Sequence, residues 1–183
     1  LSKRKDPEAR VGYYDEAGYP IPAVLDYLLT IGSADYEPWR EEHMDASIYD
    51  FPLDLSKTGA AGALFDFDKL NNVAKKRIGH MPEEQIFDAV SAWAKRYDAK
   101  LSRYMEDNGD AFRRSIAVWH EKRLDVAKWS DLMELYPYMY DPAFTVDAAA
   151  LPESFLPHKE RIPEILADYL SVFDYEDGAA EWF

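Results

Sequence analysis

The 183-residue chain contains no cysteine, which excludes disulfide bonds and thiolate-held zinc. A reducing, cytoplasmic setting fits that absence. Its four histidines, His43, His80, His120 and His158, are too scattered for a recognisable metal motif, so no metal is assigned. No apolar run approaches the ~20 residues that span a bilayer, and no membrane partner is expected. The opening is basic and then polar, unlike a signal peptide. There is no glycine-rich phosphate loop. Basic residues are the minority, 21 against 35 acidic ones, for a net charge of −14. Taken alone, that balance disfavours a polyanionic partner, because phosphate repels carboxylates.

What is present is enough for one good domain or two small ones. Apolar residues make up 48 %, and five Trp, 13 Tyr and nine Phe supply large core anchors. The charge is uneven. Residues 1–130 hold 19 basic and 23 acidic residues, a net of −4. Residues 131–183 hold 2 and 12, a net of −10. Any basic surface therefore lies in the first two-thirds.

The hydrophobic period is helical nearly throughout. A helix is expected from Pro7, capped by Asp6, to Ala17, with Gly18 as its stop. A second starts near Ile21 and Pro22 and ends at Gly32, with Ile21, Val24, Leu25, Leu28 and Leu29 as its apolar stripe. Residues 33–63 read as irregular with short helical turns, and a short strand is expected near Ala63–Phe65. Asp66 or Asp68 caps a helix through Ile78. Pro82-Glu83-Glu84 opens another, with Ile86, Val90, Trp93 and Tyr97 on one face. Helices follow at about 99–107, 110–123 and 125–140, the last carrying Val126, Trp129, Met133 and Tyr136 and kinked or ended early by Pro137. Pro142 and Pro152 bracket a connector, and a final helix spans about 159–173. The fold class is mostly all-α, with at most a short strand or two near 48–66. Gly79–Pro82 is the expected division into two subdomains.

Leu1-Ser2-Lys3-Arg4 by itself reads as solvated terminal charge. Two further segments follow it in order. Residues 13–32 run YYDEAGYPIPAVLDYLLTIG, and residues 62–70 run GALFDFDKL. Together they resemble bacterial-type glutamyl-tRNA synthetases, a class I aminoacyl-tRNA synthetase family. There a KMSKS-like loop, written LSKR, precedes a helix ending in Gly-Tyr/Phe-x-Pro, then an ALLNYLxxLG helix and an AVFDxxKL segment. Residues 122–135 are similar to a helix of that family's anticodon-binding region. The resemblance runs from Leu1 to about Tyr140 and continues more weakly to Phe183. The family's later "RVALTG"-like segment is not present.

The resemblance implies a fragment of a larger ATP-dependent glutamate–tRNA ligase that uses magnesium. Residues 1–80 would be its stem-contact region, opening in the KMSKS-like loop. Residues 81–183 would be the first part of its helical anticodon-binding region. Helical periodicity after residue 80 separates it from relatives with β-barrels there. The implied ATP contacts are Ser2, Lys3 and Arg4. In the family the lysine matching Lys3 closes on charge developing at the α-phosphate and pyrophosphate, an electrostatic role. The nucleotide-binding sheet and its HIGH-type motif are absent, so no catalytic residue is assigned and the fragment is expected to be inactive. The implied partner is tRNA. Two choices stay open: glutamate tRNA alone, or glutamine tRNA as well.

Candidate tRNA contacts are Lys75, Lys76 and Arg77 on one helix, and Arg113, Arg114, Lys122, Arg123 and Lys128 further on. His120 falls on the same face as Arg113 and Arg123. Each set has a structural alternative: cations at a helix C-terminus complement its dipole, and a charged face is often merely solvated. Trp93, Trp119 and Trp129 read as core, as do Tyr136, Tyr138 and Tyr140. Trp39 lies in irregular sequence and reads as exposed. The competing functional class is a free-standing acidic helical module that binds protein.

Overall fold

The computed structural model describes residues 7–57, 64–123, 125–145 and 152–172. They form α1 (Val11–Ala17), α2 (Ile21–Gly32), α3 (Tyr36–Glu42), α4 (Phe67–Gly79), α5 (Glu83–Tyr97), α6 (Ala99–Asp107), α7 (Gly109–Arg123), α8 (Asp131–Leu135), α9 (Pro137–Tyr140) and α10 (Ile162–Val172). Among the described residues there is no strand, and Leu64–Asp66 are irregular. The chain divides into two compact units, Leu1–Phe144 and Thr145–Phe183.

The first unit holds two apolar clusters. One joins Tyr14, Tyr19, Ala23, Tyr27, Leu70 and Ala74, all from before residue 80, to Ala127. The other runs from Ile78 through Ile86, Val90, Trp93, Leu101, Phe112, Ile116 and Trp119 to Tyr140. Helices α5, α6 and α7 pack on one another around the second cluster, and α2 packs on α4 in the first.

Local chemistry sets the boundaries. Asp66 is the N-cap of α4, its carboxylate accepting from the Asp68 and Lys69 amides at 2.8 and 3.2 Å. Asp98 caps α6 in the same way. Leu70, Ala74 and Ile78 line the buried face of α4. In α5, Ile86, Val90 and Trp93 are buried as expected, whereas Tyr97 is outside and its hydroxyl donates to Asp15.

Several expectations are corrected. Pro7–Ala9 form a separate 3-10 turn, and Asp6 lies outside the described residues. In α2 the buried side chains are Ala23, Asp26 and Tyr27, while Ile21, Leu25 and Leu28 are exposed. Residues two apart lie about 200° apart around a helix, so the two sets face opposite ways. Small Ala23 suits close approach, and the Tyr27 hydroxyl finds a partner, accepting from the Asp66 amide at 2.6 Å. Residues 33–57 contain a proper helix, α3, and Trp39 within it is half-buried, stacked on His43 at 5.1 Å. Residues 125–130 are not helical. The buried Asp131 carboxylate turns back and accepts from the Ala127 and Lys128 amides at 2.9 and 3.1 Å, a local alternative to the helical ladder. Tyr136 and Tyr140 are buried, but Tyr138 is exposed. In the second unit the last helix begins at Ile162, after a 3-10 turn at Leu156–His158, and Phe173 lies outside the described residues.

Gly18 ties the two clusters together. It ends α1 in the left-handed region, φ 89°, and the Gly18 and Tyr19 amides both close on the Tyr14 carbonyl. The Gly18 carbonyl accepts from the Trp129 amide at 2.9 Å, and the Trp93 indole donates to the Asp15 and Glu16 carbonyls. A Cβ at Gly18 would lie 2.9 Å from Trp129 and 3.0 Å from Trp93. Gly18→Ala is therefore expected to lower the unfolding free energy by about 2 kcal/mol or more, because it adds backbone strain to a clash. Urea unfolding measures it, and a loss below about 0.5 kcal/mol would contradict the coupling.

Candidate nucleic-acid interface

The basic residue signals divide sharply once the fold is in view. Ser2, Lys3 and Arg4 lie outside the described residues. Lys75, Lys76 and Arg77 form the end of α4 but point to three fates. Lys75 is half-buried and makes no ion pair among the described residues. Lys76 pairs with Glu41 of α3 at 2.9 Å, with both side chains more than half exposed. Such a pair is weak and leaves the ammonium available to phosphate. Arg77 turns inward. Its Nη1 donates to the Met44 carbonyl at 2.9 Å and lies 3.8 Å from Asp26.

Asp26 is the centre of a buried charged cluster, itself 2 % exposed. Its Oδ1 accepts from the Tyr36 hydroxyl at 2.5 Å and lies 3.1 Å from Arg40 Nη2. Arg40, 6 % exposed, donates to the Tyr36 oxygen from Nε and Nη2. Its Nη1 reaches the carbonyls of His43, Met44 and Ala46 at 2.9, 3.4 and 2.7 Å. Two arginines thus hold the 43–46 loop by its carbonyls, and one carboxylate holds the arginines. Phe51 closes the other side, edge-on to Tyr36 at 4.9 Å.

In the second set, Arg113 pairs with Glu84 at 2.6 Å and lies over the Phe87 ring. Arg114 is exposed with no ion pair among the described residues. Lys128 pairs with Asp131. The Lys122 and Arg123 side chains lie outside the described ones. His120 is corrected: it is buried, and its Nε2 donates to the Ile78 carbonyl at 2.9 Å. That bond joins α7 to the end of α4, which sets the two basic helices side by side. Ile78 of α4 also shares an apolar cluster with Phe112, Ile116 and Trp119 of α7.

No family model matches the chain. Among curated proteins, it is similar to the glutamate–tRNA ligase of Acetivibrio thermocellus, 35 % identical over 186 residues, covering all of this chain and 34 % of the relative. It is 37 % identical over 190 residues to that of Clostridium beijerinckii and 34 % identical over 187 residues to that of Sorangium cellulosum, again over the whole chain. Along its whole length the chain is homologous to a part of glutamate–tRNA ligases. It spans about a third of the length of these relatives.

Arg77 is a candidate from sequence, whereas Asp26 and Arg40 are not, although two sequence signals point to them. Asp26 is the one charged residue in the apolar α2 segment, and Tyr36 and Arg40 are one helical turn apart.

The buried hydroxyls give the fold an alkaline limit. Burial first, then the hydrogen bond to Asp26, pushes Tyr36 up to about 12. Burial also pushes Tyr19 and Tyr140 up to about 12. Unfolded tyrosine titrates near 10, so between pH 10 and 12 the unfolded chain binds fewer protons than the folded one. Stability is then full below pH 10 and falls as pH rises towards 12. Circular dichroism and tyrosinate absorbance are expected to show unfolding and the last tyrosine ionisations together in that window. Ionisation of all 13 tyrosines with the helices intact would contradict it.

Proposed function

We propose that this chain is the tRNA-contacting portion of a glutamate–tRNA ligase. The carrying observation is homology to ligases along the whole chain, at 34–37 % identity. The resemblance of Leu1–Arg4 to the KMSKS-like loop supports the same reading. Residues 1–80 serve as the stem-contact region, and 81–183 as the first part of the anticodon-binding region. The complete enzyme joins glutamate to tRNA at the expense of ATP with magnesium. The chemistry of adenylate formation belongs to polypeptide that the relatives possess beyond the matched third. Whole-length homology to ligases favours this reading over a free-standing protein-binding module.

The tRNA contact is electrostatic and local. A chain of net charge −14 repels RNA at long range, so affinity must come from a few cations that no carboxylate neutralises. Among the described residues Lys75 and Arg114 meet that condition, and Lys76 meets it in part because its pair with Glu41 is solvent-screened. Arg77 does not, because its guanidinium is engaged with Met44 and Asp26.

Binding of glutamate tRNA measured against salt tests this assignment. Log affinity is expected to fall linearly with log salt, by roughly 0.7–0.9 per phosphate contact. Lys75→Ala with Lys76→Ala, and separately Arg114→Ala, are expected to flatten the slope without lowering the unfolding temperature. A wild-type slope in these variants would make the two sets ordinary solvated charge.

A further inference from the structure

Helix α2 is amphipathic in the reverse sense for a surface helix. Its one charged residue, Asp26, is buried. Its outward face is Ile21, Leu25 and Leu28, at i, i+4 and i+7, exposed by 45, 37 and 47 %. A helix that ends at solvent turns its charges outward and its apolar stripe inward. At the start of the stripe the surface folds into a cleft of about 280 Å³, where Ile21 is joined by Tyr19, Met81, Trp93 and Trp129. The pair of Arg96 and Asp15, 3.0 Å apart, stands at its edge. An apolar stripe leading into an apolar cleft with a polar edge has the anatomy of a protein contact.

We propose that the outward face of α2, with the cleft at its start, seats the remaining polypeptide of the glutamate–tRNA ligase in cis. This rests on the ligase reading above. Two observations select that occupant over others. The relatives are about three times as long as the segment they share with this chain, so a ligase of their kind carries a large mass of tethered protein. The stripe is also small. Three partly exposed side chains present a few hundred Å², against about 800 Å² per partner in a stable complex of separate chains. A tethered partner needs far less area, because its effective concentration is already about millimolar. A second copy of the chain lacks that advantage. RNA is disfavoured because α2 carries no Lys or Arg to meet a phosphate, and Arg96 at the cleft edge is paired with Asp15.

The test compares the complete ligase polypeptide with the 183-residue chain, each as wild type, as L25E/L28E and as the milder L25Q/L28Q. Among the described residues of the shorter chain Leu25 and Leu28 are exposed, so both variants are expected to unfold within about 2 °C of wild type. In the complete ligase the same changes are expected to lower Tm by about 4 °C or more and to speed tryptic cleavage several-fold. Failure of the complete variant to fold, with the short variant folded, is the extreme of the same result. Wild-type Tm in the complete variants would overturn the proposal. So would unfolding of the short variants, which would place the stripe in a packing role inside the unit. So would a dimer of the short chain that L25E/L28E dissociates in sedimentation, which would make a second copy the occupant. Charging of glutamate tRNA by the wild-type complete polypeptide is scored separately. Its absence would remove the ligase reading and this occupant with it, whereas charging with unshifted variants would remove the docking alone.

Discussion

The first unit depends on one carboxylate in a place where a carboxylate is costly. Asp26 is buried on the inward face of α2, and a buried charge without partners costs several kcal/mol. Its partners come from two other helices: Tyr36 and Arg40 from α3, and Arg77 from α4. The consequence travels outward from there. Arg40, once anchored, has an Nη1 left over, and that group reaches three carbonyls of the 43–46 loop. Arg77 donates to one of the same three, that of Met44. A loop with little regular structure of its own is thus fixed by two guanidinium groups whose planar, multi-donor geometry suits converging carbonyls. Replacing such clusters with apolar residues is often neutral for stability in other proteins. What this one supplies is an arrangement of α2, α3, α4 and the loop between them.

The same cluster decides which cations at the end of α4 stay clear of the protein's own structure. Of three adjacent basic residues at the end of α4, the innermost is spent on structure, one is loosely paired and one is free of ion pairs among the described residues. A run of basic residues in a sequence is therefore not a patch on a surface. The acidic excess makes this selection matter more, since each unneutralised cation must act against a repulsive background. The inward turn of Asp26 also leaves the other side of α2 wholly uncharged, so the internal network and the outward apolar stripe are two consequences of one helix orientation.

Much of the helical framework was legible because its signals are local. The Asp66 cap, the Ile86–Val90–Trp93 stripe and the Gly18 stop each follow from a few neighbouring residues, and each stands in the structure. What was not legible depends on distant partners. The leucine stripe of α2 does not mark its buried face, because a hydrophobic stripe carries no record of whether its neighbour is α4 or something else. Residues 125–130 looked helical because the return of the Asp131 carboxylate to two amides leaves no periodic trace. His120 shares a helix face with Arg113 and Arg123 in sequence, and nothing local marks it as buried, because its partner, the Ile78 carbonyl, lies 42 residues away. Arg40 leaves no sequence signal of its role, because most of its partners are backbone carbonyls, which any sequence supplies.

The central claim is that Asp26 and Arg40 act as one unit on which the geometry of the first unit rests. A double-mutant cycle in urea unfolding, with Asp26→Asn, Arg40→Met and both together, measures that directly. Each single change is expected to cost about 3 kcal/mol, because it leaves the other charge buried and poorly compensated. The double variant is expected to fall short of the sum by about 2 kcal/mol. Additivity within about 0.5 kcal/mol would contradict the account and reduce the cluster to independent contacts.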